Sequence, residues 1–240
     1  MSRRFAYRHA IAACLSAAAS LPFWFGRLDW DPEMRLWRAI GDGSFVLLFL
    51  VLALGPMARI FPTVTGLISW RRELGIWFAV LALAHTLLVL DGWIRWDSMR
   101  FFGYEFLNQF GRYARVEPGF GLSNLIGVVA ALIAVPLMLT SSSWAVKRLG
   151  GSSWKWLHLG AYTVFYLVVL HSIYFLFMHY TVSFHRQVPD PNWFRYPFLA
   201  AATLVLGFQL GAFALTVRKR STMRHRGYPT GKVRGSDDPP

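Results

Sequence analysis

The chain has 240 residues, of which 55% are hydrophobic, 17% are aromatic and only 15% are charged, and its formal net charge is +13. This composition excludes an ordinary soluble domain and indicates an integral membrane protein. The basic residues are spread over short connections and the last tail, so they report membrane topology and exclude a compact nucleic-acid-binding surface.

Six apolar segments follow one another along the chain, and each is predicted to be a transmembrane helix. The first, 10–26, follows a basic N-terminus and is interpreted as a retained helix, with a cleaved signal peptide as the alternative. The other five segments are 43–57, 74–93, 122–140, 154–180 and 196–217. The predicted fold is therefore an all-α integral membrane protein, with about six transmembrane helices in a bundle.

The connections between these helices differ in charge from one side of the membrane to the other. Lys and Arg are concentrated in the N-terminus, in 59–72, in 147–155 and in the tail, whereas most acidic residues lie in the alternate connections. The positive-inside rule therefore places both termini in the cytoplasm. The outer connection 97–119 is long enough, and aromatic enough, to contain a short helix on the membrane surface.

The predicted domain organisation has three parts. Residues 1–42 form a membrane helix and an outer loop, residues 43–217 form the transmembrane bundle, and residues 218–240 form a basic, disordered cytoplasmic tail. Because polar groups inside a membrane must find partners, the function is sought in the bundle.

Four histidines lie inside the predicted helices. His158, His171 and His179 are in the fifth helix, and His85 is at the middle of the third. A neutral imidazole inside a membrane must be hydrogen-bonded, in contact with water in a cavity, or bound to a metal, because an unsatisfied polar group there costs several kcal/mol. A single cysteine, Cys14, excludes a disulfide framework and a cysteine-ligated iron–sulfur cluster, so iron would need imidazole ligands.

Depth in the membrane decides which histidines can act together. A haem b inside a bundle needs two axial imidazoles from different helices at similar depth. With a rise of about 1.5 Å per residue from the cytoplasmic side, His85 lies roughly 20 Å deep, His171 roughly 24 Å and His158 only about 5 Å. Depth therefore pairs His85 with His171. His158 is predicted to serve a second haem, a quinone or a protein partner on the cytoplasmic side, and His179 is predicted to be interfacial.

The alternative from a different functional class is a non-redox membrane protein. In that hypothesis His85 and His171 form interhelical hydrogen bonds or relay protons, as single buried histidines in membrane helices commonly do. It predicts a colourless protein, whereas the haem hypothesis predicts a coloured one, so the visible spectrum discriminates between them.

Four stretches of sequence carry a resemblance to a known family. They are GPMARI, RRELGIWFAVLALAH, PLMLTSSSWAVKRLG, and WKWLHLGAY with a further histidine thirteen residues after its own. In order and spacing, over about residues 43–175, they resemble the ferric-reductase-like transmembrane domain, and most closely the haem-binding membrane subunit of the bacterial periplasmic methionine-sulfoxide reductase system. The resemblance implies that His85, His158 and His171 are the haem-associated positions.

The chain departs from that pattern in three places. The wider group, which includes NADPH oxidases and eukaryotic ferric reductases, carries a second histidine later in the third helix, near the position of Met99 in this chain. Leu159 and Gly160 follow His158, where relatives of the reductase subunit usually carry a basic residue. The outer connection 97–119 is longer than in that subunit, which implies a different contact with the partner or the substrate.

The resemblance implies an electron-transfer subunit of the bacterial cytoplasmic (inner) membrane, a component of an oxidoreductase with no catalytic residue of its own. The expected cofactor is haem b, in one or two copies. A quinone and FMN are further candidates, although the chain has no GxGxxG or comparable phosphate-binding loop. Electrons would come from the quinol pool or a cytoplasmic flavoprotein and pass to a periplasmic reductase catalytic subunit, in methionine-sulfoxide repair. The protein is expected to contact membrane lipid and not nucleic acid. Within the redox class, the alternative function is that of a stand-alone ferric or metal reductase.

Overall fold

The computed structural model describes residues 3–116, 119–179 and 192–225, with side chains described up to residue 222 in the last range. The first helices are α1 (Arg3–Phe25), α2 (Pro32–Ile60), a 3₁₀ helix (Pro62–Trp70), α3 (Arg71–Leu88), its π-helical continuation (Val89–Ile94) and the short α4 (Ser98–Phe101). Two strands follow, β1 (Tyr104–Leu107) and β2 (Arg112–Arg115). The remaining helices are α5 (Phe120–Leu139), α6 (Ser143–Leu149), α7 (Gly151–His158), α8 (Gly160–Ile173), a second π-helix (Tyr174–Met178) and α9 (Arg195–His225).

Five helical segments in the described part of the chain are long and apolar enough to cross a membrane, in agreement with the predicted multi-pass membrane protein. They are Pro32–Ile60, Pro62–Ile94, Phe120–Leu139, Gly151–Met178 and Arg195–Thr222. α1 is a further long helix, which packs against α2 and α3. The number of six membrane helices and the cytoplasmic position of both termini stay predictions.

The helix α2 begins at Pro32, well before the predicted residue 43. Its start is fixed by Asp31, whose carboxylate accepts hydrogen bonds from the N–H groups of Glu33 and Met34 at 3.0 and 3.1 Å. Proline at the first helical position also suits a helix start, since its missing N–H would have no partner there. Most of the polar segment that reads as an outer loop is therefore helical and belongs to the bundle.

The outer connection between α3 and α5 contains a short helix and a hairpin. α4 contains only four residues and is capped by Asp97, whose carboxylate accepts a hydrogen bond from the Met99 N–H at 2.7 Å. Most of the remainder is an antiparallel hairpin in which Phe106 lies opposite Tyr113, with ring centroids 5.2 Å apart. The short helix predicted within 97–119 is therefore present as α4, its position on the membrane surface stays a prediction, and the hairpin is a feature that the sequence did not predict.

The last two predicted helices also have different limits. The fifth begins at Gly151 rather than at residue 154 and is interrupted at Leu159, which joins α7 to α8. α9 continues to His225, so the first residues of the predicted tail are helical. The rest of that tail, 226–240, lies outside the described residues.

The core of the bundle is built around α2, which contacts α1, α3, α8 and α9. Its Leu47, Leu48 and Leu52 are almost fully buried and form one cluster with Phe165 of α8 and Phe198 of α9. Since lipid tails are as apolar as leucine, van der Waals packing rather than escape from water holds such helices together. α5 packs against α3 and α8, so that α2, α3, α5 and α8 surround one interior space.

Candidate functional site

His85 is held by a backbone group of α2. Its Nδ1 lies 2.8 Å from the carbonyl oxygen of Trp37. A carbonyl oxygen can only accept a hydrogen bond, so Nδ1 carries the proton and Nε2 of the neutral ring keeps its lone pair. Trp37 lies in the part of α2 that the sequence does not predict to be helical, so this partner was missed.

His171 has the same arrangement on α8. Its Nδ1 donates to the carbonyl oxygen of Ser123 on α5, also at 2.8 Å, and the Ser123 hydroxyl donates to the carbonyl oxygen of His171 at 3.1 Å. A reciprocal pair of hydrogen bonds therefore joins the two helices. The protonated Nδ1 again leaves the Nε2 lone pair for a ligand, and such a partner at Nδ1 fixes the ring orientation and raises its basicity.

A glycine makes room for each imidazole. Gly41 and Gly127 each lie one turn after the residue whose carbonyl accepts the histidine hydrogen bond, on the same face of the helix. A Cβ at Gly41 would lie 2.9 Å from Nδ1 of His85, and a Cβ at Gly127 would lie 2.7 Å from Nδ1 of His171. Gly127 is visible in the sequence as a glycine within an apolar predicted helix, whereas Gly41 lies in the predicted loop, and in both cases the ring that the glycine accommodates is visible only in the structure.

Both histidines line one cavity near the end of the bundle where α3 ends, and this cavity is named the outer cavity. Among the described residues, no hydrogen bond occupies Nε2 of either ring. The apolar part of the wall comes from α3, α5, α8, both π-helices and α4, and includes Phe78, Ala82, Ala130, Val164, Val168 and Phe175. Two imidazoles from different helices in one largely apolar cavity are what bis-histidine ligation of a haem iron requires.

Two charged side chains line the outer cavity from α2. Asp42 is paired, because its carboxylate accepts a hydrogen bond from the Arg27 guanidinium at 2.6 Å. Arg38 takes part in neither of the two ion pairs of the described residues, and its guanidinium lies 5.2 Å from the centre of the Phe175 ring. The outer cavity therefore contains a cation that suits a ligand with carboxylate groups, such as the propionates of haem.

His158 is separated from the other two predicted positions and lines a different cavity. Its Nε2 lies 3.1 Å from the hydroxyl oxygen of Thr140, and its ring stacks on Trp154 with centroids 4.0 Å apart. The Thr140 hydroxyl donates its one proton to the carbonyl oxygen of Pro136 at 2.6 Å, so it accepts from His158. Nε2 of His158 is therefore already occupied.

This second cavity, the inner cavity, lies at the end of the bundle where α3 begins. Its basic lining residues are Arg8, Arg59, Arg71, Arg72 and Lys155. Glu73 also lines it and binds Arg8 at 2.9 Å. Phe78 and Val164 line both cavities, so the two spaces are direct neighbours. The inner cavity is therefore suited to an anionic ligand.

His179 is buried within the protein, with only 6% of its surface exposed. Its ring lies among aromatic side chains, with its centroid 5.7 Å from those of Trp93 and Phe175 and 6.2 Å from that of Phe120. Trp93 and Phe120 belong to other helices, whose approach the sequence does not show, so the burial was not predicted, whereas the position of His179 at the membrane interface stays a prediction. His179 itself is not a lining residue of the outer cavity.

Comparison with known proteins points to one family. Residues 40–169 match the family described as ferric reductase like transmembrane component, a range that contains His85 and His158 and ends just before His171. The protein-methionine-sulfoxide reductase heme-binding subunit MsrQ of Herminiimonas arsenicoxydans is 31% identical over 170 residues, which are 67% of this chain and 71% of that protein. MsrQ of Bordetella pertussis is 29% identical over 174 residues, 67% of this chain and 74% of that protein.

A second kind of relative shares this region. The magnetosome protein MamZ of Paramagnetospirillum magneticum is 31% identical over 150 residues, which are 62% of this chain but only 21% of that protein. The matched region is therefore one part of a larger chain in that relative. No solved structure matches this chain.

Proposed function

This chain belongs to the ferric reductase-like transmembrane family, and we propose that it is a haem-binding subunit of the bacterial inner membrane that passes electrons to a periplasmic methionine-sulfoxide reductase. The observation that carries the proposal is the pair of histidines His85 and His171. Both rings line one cavity, and the hydrogen bond at Nδ1 leaves Nε2 of each ring available to a ligand. The relatives support it, since MsrQ is named as the heme-binding subunit of a protein-methionine-sulfoxide reductase.

In this proposal the outer cavity would hold one haem b, and Nε2 of His85 and Nε2 of His171 would bind its iron. A bound haem supplies a one-electron carrier whose iron alternates between the ferric and ferrous forms. The carbonyl groups of α2 and α5 fix both imidazoles in the required orientation in advance. Arg38 would pair with the acidic groups of the ligand, while Phe78 and Val164 would exclude water from it.

His158 is assigned to the electron-donor side rather than to a second haem. Its Nε2 is engaged by Thr140, so ligation of iron through that atom would break a hydrogen bond that the fold already forms. The basic lining of the inner cavity suits an anionic group, such as the phosphate of FMN or a deprotonated quinol. We therefore place a quinol, or the flavin of a cytoplasmic flavoprotein, at the inner cavity, next to the wall that both cavities share.

The visible spectrum of the purified protein tests this proposal. The wild-type protein should show a haem b spectrum that changes on reduction, with one haem per chain. His85→Ala and His171→Ala should each lose most of the bound haem, because one of the two imidazoles that would bind the iron, with its hydrogen-bonded support, is then missing. His9→Ala is the control, since His9 lies on α1 and lines neither cavity.

The same variants test the acceptor in cells. A strain without the gene should accumulate methionine sulfoxide in periplasmic proteins and keep its ferric reduction, and wild-type protein, but not His171→Ala, should restore repair. Loss of ferric reduction with intact repair would favour a stand-alone metal reductase. A colourless wild-type protein, or full haem content in both alanine variants, would overturn the haem proposal itself.

His158→Ala should keep the haem of the outer cavity but slow its reduction by the donor about tenfold, because a donor that loses a contact also loses its orientation. Haem content and the rate of reduction by a water-soluble quinol, measured on one preparation, separate the two effects. Thr140→Val removes the hydrogen bond but keeps the imidazole, so it should show a smaller loss. Loss of half of the haem in His158→Ala would instead establish a second haem there.

A further inference from the structure

A buried ion pair lies beside the outer cavity. The Arg27 guanidinium donates to the carboxylate of Asp42 at 2.6 Å and to the side-chain oxygen of Asn192 at 3.1 Å. The Arg27 side chain is only 1% exposed, and its guanidinium lies 5.6 and 5.0 Å from the ring centres of Phe23 and Trp30. The cation is therefore shielded from solvent and fixed by neighbours from several elements.

Only one of the two charged side chains of this pair lines the cavity that contains the histidines. Asp42 lines the outer cavity, whereas Arg27 does not. Asp42 also directly follows Gly41, the residue against which the His85 ring packs. The pair therefore presents its negative end to the outer cavity and its positive end to the junction of α1, α2 and the residues before α9.

We propose that Asp42, which forms an ion pair with Arg27, sets the reduction potential of the group bound by His85 and His171. This inference rests on the proposed function, in which that group is a haem. Reduction adds one electron to the site, and a carboxylate fixed nearby makes this addition less favourable, most of all where water is excluded. Asp42 thereby lowers the reduction potential and favours transfer of the electron onward to the acceptor.

Potentiometric titration of the purified full-length protein tests this inference. Asp42→Asn keeps the size of the side chain and an oxygen that can accept from Arg27, but it removes the negative charge. The midpoint potential should rise, so that at the wild-type midpoint the ferrous-to-ferric ratio increases about tenfold, which equals about 59 mV for one electron. Asp29→Asn removes an exposed acid from the same outer end of the bundle and should leave the midpoint unchanged.

A double variant, Arg27→Gln with Asp42→Asn, removes both charges and avoids a buried arginine without its acid. Its midpoint should lie between those of the wild type and Asp42→Asn, because the field of the cation is also gone. If the midpoint potential of Asp42→Asn equals that of Asp29→Asn, this inference is overturned and the proposed function stays intact. This holds whether the haem content of Asp42→Asn is retained or reduced. A wild-type protein without haem overturns the proposed function, and this inference with it.

Discussion

Gly127→Ala should reduce haem affinity by about 10- to 100-fold, although both proposed ligands remain in the chain. A Cβ at this position would lie 2.7 Å from Nδ1 of His171, which is closer than a non-bonded contact allows. The imidazole cannot turn aside without losing its hydrogen bond to the Ser123 carbonyl. The ring must therefore shift, and Nε2 moves with it. Titration of the haem-free protein with haem, followed by its absorption spectrum, measures the affinity.

Gly207→Ala in α9 is the matched control, because no atom lies within 4 Å of a Cβ at that position. It should keep normal haem affinity and stabilise the helix by up to about 1 kcal/mol, the difference in helix propensity between alanine and glycine. Gly41→Ala should behave like Gly127→Ala, acting through His85. Normal haem affinity in both of the cavity variants would contradict the positions of the imidazoles on which the proposed function depends.

The sequence predicts that His85 and His171 lie at similar depth, because the rise per residue of a helix is fixed. Counting residues from the basic end of each helix gives two similar depths, and the structure places both side chains on the wall of the outer cavity. The family resemblance could be read for a related reason, since its motifs lie within or beside regular helices, and the match over residues 40–169 confirms it. The role of the two histidines as iron ligands stays a prediction.

The start of α2 and its polar partners could not be predicted. Residues 27–42 carry many charges, and such a segment reads as a loop because isolated charges are costly among membrane helices. In the structure Arg27 binds both Asp42 and Asn192, and the second of these is 165 residues away along the chain. A charged side chain whose partner is distant in the sequence cannot be recognised as paired from its neighbours in the chain. The ion pair beside the outer cavity is therefore visible only in the folded structure.

Contacts between helices account for the other differences. Gly127 resembles any glycine in an apolar helix, and Gly41 lies in a segment that reads as a loop. The sequence does not show which ring approaches either of them. His179 falls near the predicted end of its helix, a position typical of interfacial residues. It is buried because Trp93 and Phe120, from two other helices, pack against its ring. Periodicity and depth describe each helix by itself, whereas these features depend on pairs of helices.

Glu73→Leu should destabilise the protein by about 3 kcal/mol, because it leaves Arg8 of α1 without its acidic partner. The Arg8 guanidinium lies 2.9 Å from the Glu73 carboxylate, donates to the carbonyl oxygen of Ser69 and lies 4.6 Å from the centre of the Trp70 ring. The two side chains are only 18% and 8% exposed, so water can replace little of the lost interaction. Reversible unfolding of the purified protein in mixed detergents measures the change in unfolding free energy.

The double variant Arg8→Met with Glu73→Leu separates the effect of charge from that of packing. Two apolar side chains of similar volume should return most of the lost stability, because no buried charge is then left unpaired. An unchanged stability of Glu73→Leu would instead mean that the apolar face of α1 alone holds it to α2 and α3. Because Arg8 also lines the inner cavity, a double variant that is stable but accepts electrons slowly would assign its cation to the donor side as well.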